Sequence, residues 1–592
     1  MPVQGQRYLQ WVLMLPEGES FYMKNQSDLR AHLRAIDHRG YPAYKELRGS
    51  YSFGEYTLHI DHVQGDPFAA PSSVSIGIRP TQAAFPAAFL ESAHRRTALE
   101  DHLLRLFGIE AEKYSKKARG SGKSGLIGVS RPGQEVIPRS ACQIDGSGEV
   151  TFRLEIGFPA NGRTINAGEL EKILFEFVPA CVRNALYYRS LDQRKLKLAI
   201  DLADDQARIR GELDRLGLCA FVADGAVLPR ASGVSDLPMR DAVPFCSPES
   251  LRVELDLPHA GKMTGMGIRR GITLIAGGGY HGKSTLLQAL ERGVYNHIAG
   301  DGREYVITDD TAMKIRAEDG RSIVCDDISL FISNLPDGKD TVRFSSENAS
   351  GSTSQAAAVV EAAEAGAKVL LIDEDTSATN FMVRDALMQA VIAPDKEPIT
   401  PFIDRARLLY EKNGISTILA LGSSGAWFVP AECILQMDEY RPLDITARAR
   451  AAAEAFFPAA AQGKEEIKDG GKLLPRRVLL ADRLFSSDRI KIKTTGRDGF
   501  LIDRRMVDLR YVEQLIDPEQ SACLAQCLLY AGRHLMDGRC TLEEIADRLA
   551  GLLLEKGPGA VAEGSYVRMG YASPRKAEIC AMLSRFRGLR VR

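Results

Sequence analysis

The stretch GGGYHGKS, residues 277–284, decides the fold of this chain. It follows the apolar run 271–276, which is typical of a strand, and it opens the helix-like run 285–290. It matches the pattern G-x-x-x-x-G-K-S, in which glycines let backbone N–H groups curl round phosphates and the helix N-terminus adds positive potential. In this pattern Lys283 reaches the β- and γ-phosphates, and the Ser284 hydroxyl binds magnesium. The residues predicted to hold the nucleotide here are Gly277, Gly278, Gly279, Tyr280, His281, Gly282, Lys283, Ser284 and Thr285.

A second informative stretch is DEDTSATN, residues 373–380, which ends the apolar run 369–372. Two carboxylates at the end of a hydrophobic strand provide oxygen ligands for a magnesium ion and a base for water. Asp373 is predicted to hold the magnesium, directly or through water, and Glu374 to polarise the attacking water. Two adjacent acids can also form a solvated turn, but the phosphate loop upstream favours the catalytic interpretation.

The order of apolar runs predicts an α/β fold with a central, largely parallel sheet between about 250 and 446. Strand-like runs alternate there with helical ones at residues 272–276, 305–308, 369–372, 417–421 and 434–437. Residues 1–245 are predicted to form a mixed α+β domain, with a linker at 243–248 and two helical stretches near 168–190 and 192–216. Residues 246–446 would form the nucleotide-binding domain and 447–592 a mostly helical domain, with helices at 447–457, 515–532 and 542–555.

Composition describes an ordinary soluble globular protein. The 592 residues are 45% hydrophobic and 26% charged, and the net charge of −1 provides no global attraction to nucleic acid or membrane. The ten cysteines form no C-x-x-C pair, which favours reduced thiols and a cytoplasmic location. No apolar run approaches eighteen residues, and the start at 8–15 lacks the features of a secretory leader. We therefore expect no membrane domain.

A third stretch, NASGSTSQ at residues 348–355, precedes the helical run 356–365. It resembles a degenerate form of the LSGGQ signature of ABC ATPases, and residues 373–380 resemble the DEPTSALD segment of the same proteins. Ser350, Gly351 and Ser352 would then face the γ-phosphate of a nucleotide held by another subunit. A serine-rich helix start can also be a simple N-cap.

Two positions depart from the ABC pattern. Where a switch histidine ends the strand in ABC proteins, this chain has Gly422 followed by Ser423, which can hydrogen-bond a phosphate or water but cannot carry a proton charge near neutral pH. The usual glutamine is missing between residues 288 and 355, and Asp327 lies about where it is expected, as a candidate magnesium contact. We therefore predict slow turnover, with Ser423 in the catalytic set.

Taken together, the motifs resemble the predicted ABC-class ATPase family over nearly the whole chain. Upstream the resemblance includes residues 44–45, 61–69 and 221–230. The family includes a mitochondrial RNA-editing factor of trypanosomes. The resemblance implies an ABC nucleotide-binding fold that binds ATP and Mg²⁺, with added N- and C-terminal domains forming an RNA-binding pore in a dimer.

Two basic clusters offer independent support for nucleic-acid binding. The first lies in a glycine- and serine-rich loop that is predicted to be flexible, and it contains Lys116, Lys117, Arg119 and Lys123. The GKS at 122–124 in this loop lacks the first glycine and the preceding strand of a phosphate loop. The second cluster is the arginine-rich chain end, 575–592. Solvated, solubilising charge is the alternative for both clusters.

The leading hypothesis is a soluble ABC-class ATPase that binds ATP and slowly hydrolyses it in a head-to-tail homodimer coupled to RNA or other nucleic acid. The rival hypothesis is an ATP-gated switch that recruits a protein partner without touching nucleic acid. A coupling subunit for a membrane transporter is a third interpretation, which the large flanking domains disfavour.

Overall fold

In the computed structural model of the protein, the described residues are 23–384, 391, 396–456, 477–487 and 489–592. The apolar start at 8–15 and Phe457, the last residue of one predicted helix, lie outside them. Within the described part of the chain, no helix is both long enough and apolar enough to cross a membrane.

The N-terminal domain is a twisted sheet with helices packed against it. The sheet has the strand order β1-β2-β3-β4-β8-β5, with β7 also paired to β8. Its strands and the small pairs around it are β1 Lys24–Asn25, β2 Gly49–Ser52, β3 Thr57–His62, β4 Ser72–Ile78, β5 Ile127–Gly128, β6 Glu135–Val136, β7 Cys142–Ile144, β8 Val150–Ile156, β9 Ala160–Asn161 and β10 Thr164–Ile165. The helices are α1 Gln26–Ala35, α2 Pro80–Ala83, α3 Ala93–Glu112, α4 Ala167–Lys172, α5 Val178–Ala185 and α6 Gln193–Leu216.

The central domain contains two main sheets. Its strands are β11 Leu218–Ala223, β12 Arg230–Ser232, β13 Ser235–Pro238, β14 Arg252–Leu257, β15 Gly261–Arg269, β16 Ile272–Ala276, β17 Asn296–His297, β18 Val306–Thr308, β19 Met313–Ile315, β20 Arg321–Asp326, β21 Phe344–Ala349, β22 Val369–Asp373, β23 Ser416–Ala420, β24 Cys433–Asp438 and β25 Arg441–Asp444. Its helices are α7 Lys283–Arg292, α8 Gly351–Glu364, α9 Thr379–Met382, α10 Phe402–Asn413 and α11 Thr446–Phe456.

The parallel sheet was predicted correctly in four of its strands. Its order is β19-β22-β23-β16-β24-β25, with only β25 antiparallel. The predicted strand at 305–308 forms, as β18, but it lies in the antiparallel sheet β14-β15-β11-β18. The edge of the parallel sheet is instead β19, whose three residues are too few to form a recognisable apolar run.

The antiparallel sheet crosses the predicted domain boundary at 245/246. Strand β11 lies upstream of that boundary but pairs with both β15 and β18 of the central domain. The predicted linker is packed rather than free: Phe245 is 3% exposed and exchanges backbone hydrogen bonds with Gly225 and Ala226. Residues 243–248 are therefore a packed connection between neighbouring strands.

The C-terminal domain combines three helices with a small sheet. Its elements are β26 Ile492–Thr494, β27 Gly499–Ile502, β28 Arg505–Asp508, α12 Pro518–His534, α13 Leu542–Lys556 and α14 Lys576–Arg585. A capping box opens α13, with Thr541 and Glu544 each accepting from the other's backbone N–H. Buried ion pairs join this domain to the central one, including Arg477 with Glu364 and Asp326.

Candidate nucleotide site

Three parallel strands bring the predicted catalytic segments to one edge of the sheet. Strand β23 lies between β22, which ends in Asp373, and β16, which leads into residues 277–284. In the register of these strands, Ala420 pairs with both Asp373 and Ile275. Because parallel strands point the same way, the loops that follow all three meet at their carboxyl ends.

The phosphate loop needs glycine at two positions. Gly277 has φ +140°, and a Cβ there would lie 2.7 Å from the Met437 carbonyl oxygen. Gly282 has φ +96° and immediately precedes α7, which begins at Lys283 without a side-chain cap. The Lys283 ammonium donates to the Gly278 carbonyl at 2.8 Å, so it lies folded over the loop. This cradle fits a polyphosphate, because backbone N–H groups of a helix start and an ammonium converge on it.

Glu374 is held by the loop that follows β23. Its Oε1 accepts a hydrogen bond from the Ser423 hydroxyl at 2.6 Å. Its Oε2 accepts from the backbone N–H groups of Gly422 at 2.6 Å and Ser423 at 3.1 Å. Three donors therefore fix the orientation of this carboxylate, and the serine that replaces the switch histidine contacts the predicted base directly.

Gly422 marks the point where the three loops converge. A Cβ built on it would lie 3.8 Å from the Lys283 Nζ and 4.0 Å from the Glu374 Oε2. The structure thus brings together Lys283, Glu374 and Ser423, which are far apart in the sequence.

The predicted magnesium ligands are oxygen donors of the kind that the ion prefers. Asp373 ends β22, and its carboxylate accepts from the Asp375 N–H at 3.2 Å. Ser284 lies in the first turn of α7. The described residues contain no cluster of three or more His, Cys, Asp or Glu side chains suited to a metal. One carboxylate and one hydroxyl, completed by phosphate oxygens and water, are nevertheless a usual magnesium set.

Asp327 and Asp326 differ in their surroundings. The Asp327 carboxylate closes a local turn by accepting from the N–H and hydroxyl of Ser329. Its role as a magnesium contact stays a prediction. Asp326 is fully buried and lies 2.8 Å from Arg477, and burial raises the pKa of Asp326 well above its usual range. Asp326 therefore belongs to the joint between domains.

The signature-like segment opens helix α8. Ser350 is the exposed N-cap residue, and its hydroxyl lies 3.0 Å from the Thr353 hydroxyl. Gly351 and Ser352 form the first turn. Sequence reasoning missed Gln355, whose amide donates to the Ser377 hydroxyl and accepts from the Ala378 N–H at 2.8 Å. Gln355 thus ties the helix to the segment that follows Glu374.

The basic loop is exposed, and its backbone is hydrogen-bonded to neighbouring residues. Backbone N–H groups of Lys116, Arg119 and Lys123 donate to Gly125, to the Glu169 carboxylate and to Pro67, respectively. The Lys117 ammonium lies 5.3 Å from the centre of the Tyr114 ring. The side chains of Lys116, Lys117, Arg119 and Lys123 are exposed, and no strand-loop-helix unit forms round residues 122–124.

A basic patch that the sequence did not reveal includes Lys123 of this loop. Its members are the exposed residues Lys45, Arg48, His62, Lys123 and Arg568, contributed by the N- and C-terminal domains. Burial lowers the pKa of His62, and the charges of Arg568, Arg48 and Lys45 lower it further. Burial raises the pKa of the neighbouring Glu155 carboxyl, opposed by Arg568 and Lys123.

Aromatic side chains border the basic patch. The His62 ring stacks on Tyr566 at 5.6 Å between centroids, and Arg568 lies 5.7 Å from the centre of the same tyrosine ring. Phe68, which is 63% exposed, lies against Gly122 of the basic loop. His62 and Phe68 belong to the segment at 61–69, for which the sequence indicated only a family resemblance. This segment therefore contributes side chains to the basic patch and its border.

Three basic residues at the start of the arginine-rich chain end form ion pairs, one of which joins two domains. Arg575 pairs with Glu578 on α14, and Arg585 pairs with Glu318 of the central domain. Lys576 pairs with Glu543 and Asp547 of α13. Ion pairs therefore occupy the charges of Arg575, Lys576 and Arg585, whereas Arg590 and Arg592 are exposed.

The fold and the site define a P-loop nucleotide-binding protein with a parallel core sheet. Comparison with known families then narrows the class. Residues 192–470 match the P-loop domain of the ABC ATPase family, 26–189 match the N-terminal domain of ATPases of the ABC class, and 491–592 match the MRB1590 C-terminal domain. The chain belongs to the ABC-class ATPase family.

The individual proteins compared match this chain only in part. An uncharacterized protein of Methanocaldococcus jannaschii is 35% identical over 217 residues, which are 33% of this chain and 47% of that protein. The match thus spans about half the length of this relative. A solved structure of cbiO1 from Clostridium perfringens, part of the ABC transporter complex cbiONQ, aligns at a TM-score of 0.26 and 14% identity. That alignment covers 41% of this chain and 98% of the other.

Proposed function

We propose that this protein is a magnesium-dependent ATP hydrolase with slow turnover. The observation that carries the proposal is the convergence of Lys283, Glu374 and Ser423 at one edge of the parallel sheet. Lys283 and the loop N–H groups would hold the phosphates, and Ser284 and Asp373 would hold the magnesium ion, which neutralises phosphate charge when bound. Glu374, oriented by Ser423, would accept the proton of the attacking water.

We further propose that two copies enclose ATP head to tail. Ser350 is exposed at the start of the fourteen-residue helix α8, where N–H groups of the first turn favour an anion. Each nucleotide would then contact the phosphate loop of one copy and Ser350 to Ser352 of the other. A single copy should be nearly inactive, because it supplies only one of these two contacts to each nucleotide. Gln355 would couple the contact at Ser350 to Glu374 through Ser377 and Ala378.

Binding of RNA or other nucleic acid is the third part of the proposal. The basic patch and the exposed side chains of the 116–123 loop offer cations for a phosphate backbone, and Tyr566 and Phe68 offer rings for bases. The match at 491–592 to a domain of MRB1590 adds support by resemblance. The rival function, an ATP-gated protein switch, predicts no salt-sensitive nucleic-acid binding.

The variant Glu374→Gln tests the hydrolase and dimer proposals together. It should bind ATP, lose hydrolysis and elute as a dimer with ATP and magnesium on a sizing column. Lys283→Ala is the matched control, which should lose ATP binding and stay in the state that the protein adopts without nucleotide. Glu374→Gln that hydrolyses ATP at the wild-type rate would rule out the proposed base, and one that remains monomeric with ATP would rule out the enclosed dimer.

A further inference from the structure

The turn between β24 and β25 lies directly beside the phosphate loop. Strand β24 pairs with β16, the strand that leads into the loop, and a two-residue turn, Glu439 and Tyr440, joins it to β25. The Glu439 N–H donates to the His281 Nδ1 at 2.9 Å, and His281 also lies 3.4 Å from the Asp438 carboxylate. The hydrogen bond from Glu439 to His281 therefore connects the turn to the phosphate loop.

Both residues of this turn adopt left-handed backbone conformations. Glu439 has φ 45° and Tyr440 has φ 68°. Such a two-residue hairpin turn normally carries asparagine and glycine, because side chains with a Cβ are disfavoured at positive φ. A bulky tyrosine at this position is an outlier, and outliers of this kind concentrate at functional sites.

The tyrosine ring is exposed beside the phosphate loop. Tyr440 is 55% exposed, and its Cδ1 lies 3.2 Å from the position of a Cβ on Gly282. Gly282 immediately precedes Lys283, so the ring lies beside the backbone that leads into α7. A chain that only needed to close a hairpin would not gain from holding a large apolar ring against solvent at this point.

We infer that Tyr440 is a specificity-determining residue whose ring stacks on the base of the bound nucleotide. The inference rests on the proposed function, since it assigns the base-binding part of the same site. Stacking on a ring face accepts any base but favours the larger π-surface of a purine. The phosphate loop would recognise the triphosphate and the β24–β25 turn the base.

Calorimetric titration with magnesium and either ATP, CTP or inorganic tripolyphosphate tests this assignment. Tyr440→Ala should weaken ATP binding about ten-fold, weaken CTP binding less and leave tripolyphosphate binding unchanged. Tyr440→Phe keeps the ring and should bind ATP as the wild type does. Leu443→Ala, a change at a 46% exposed residue of β25, is the matched control and should bind all three ligands normally.

The outcomes separate this inference from the function on which it rests. If Tyr440→Ala binds ATP as tightly as the wild type, or weakens ATP and tripolyphosphate equally, the ring does not contact the base and the inference is overturned. The same follows if wild-type protein binds ATP no better than tripolyphosphate. If wild-type protein binds neither, the proposed nucleotide site itself fails, and the assignment of Tyr440 fails with it.

Discussion

The Ser423 hydroxyl donates a 2.6 Å hydrogen bond to the Glu374 carboxylate, which also accepts two backbone N–H groups from the same loop. Ser423, which follows the strand where ABC proteins have a switch histidine, is therefore hydrogen-bonded directly to the proposed catalytic base. A neutral hydroxyl can orient the carboxylate but cannot add a positive charge near the phosphates. This geometry explains why slow hydrolysis is expected.

Ser423→Ala removes the side-chain hydrogen bond but keeps both backbone donors. We expect the rate of ATP hydrolysis at saturation to fall about ten-fold, the value of one hydrogen bond to a charged group, with little change in ATP affinity. Steady-state phosphate release and equilibrium ATP binding measure the two effects. Ser424→Ala changes the neighbouring serine and serves as the control. Equal rates for Ser423→Ala and wild type would show that the bond does not help catalysis.

Mixing two inactive variants tests the head-to-tail arrangement. Lys283→Ala should lack the phosphate contact, and Ser350→Arg should block the partner's contact, so each alone should be inactive. A mixed dimer contains one site with both wild-type contacts, and partial ATPase activity should return when the two proteins are combined. Sites built within single copies predict instead that the mixture stays inactive. A mixture of Lys283→Ala with Glu374→Gln is the control. Both changes lie in the half of the site that contains the phosphate loop, so every site of this mixed dimer contains one defect and the mixture should stay inactive.

The phosphate loop and the two acids at the end of β22 were predictable from the sequence, because each is a short continuous motif. Residues 277–284 and 373–374 each end a buried strand, and their motifs imply the backbone geometry round them. The contact between Glu374 and Ser423 was not predictable, since it depends on β23 lying between β22 and β16. The placement of Tyr440 against Gly282 depends on the same strand order.

Charged residues were the least predictable part of the chain. Lys123 and Arg568 lie far apart in the sequence, yet the charges of both lower the pKa of Glu155. Arg575 and Arg585 look like free basic residues in the sequence but occupy ion pairs. One-dimensional charge clusters give no information about which partners the fold will supply.

Charge reversal in the basic patch tests nucleic-acid binding. Lys123→Glu and Arg568→Glu should each weaken binding of single-stranded RNA and lower the salt dependence of the binding constant, because each removes about one phosphate contact. Fluorescence anisotropy over a range of salt concentrations measures both effects. Arg590→Glu, at an exposed basic residue outside the patch, is the control. Equally weak, salt-insensitive binding by wild type and all variants would favour the protein-switch function.

Arg477 joins the C-terminal domain to helix α8. Its Nε donates to Glu364 at 2.9 Å, and its Nη1 lies 2.8 Å from Asp326, with all three side chains almost fully buried. Arg477→Met leaves two buried acids without their cation and should destabilise the protein by about 3–5 kcal/mol. Chemical denaturation measures this loss. Arg587→Met removes an exposed 3.6 Å pair with Glu347 and a 3.4 Å hydrogen bond to the Gly320 carbonyl, and it should cost less than about 1 kcal/mol. Equal stability of the two variants would contradict the structural role of Arg477.

Glu100 makes the stability of the N-terminal domain depend on pH. Burial raises the pKa of Glu100 to about 8, although the Ile144 N–H donates to its carboxyl at 2.7 Å. The folded protein therefore holds this proton more tightly than the unfolded chain, whose ordinary pKa is 4.5. The resulting stabilisation is complete below that value and is lost as pH rises towards 8, by about 1.4 kcal/mol per pH unit.

Glu100→Gln keeps an acceptor for the Ile144 N–H but cannot ionise. Its thermal unfolding midpoint should match that of the wild type near pH 5 and exceed it increasingly up to pH 8. Only the wild type loses stability over this range, because its folded state must either keep the Glu100 proton or bury the ionised carboxylate. Unfolding scans at several pH values measure the difference between the two proteins. A constant difference across this range would mean that Glu100 is already ionised in the folded protein.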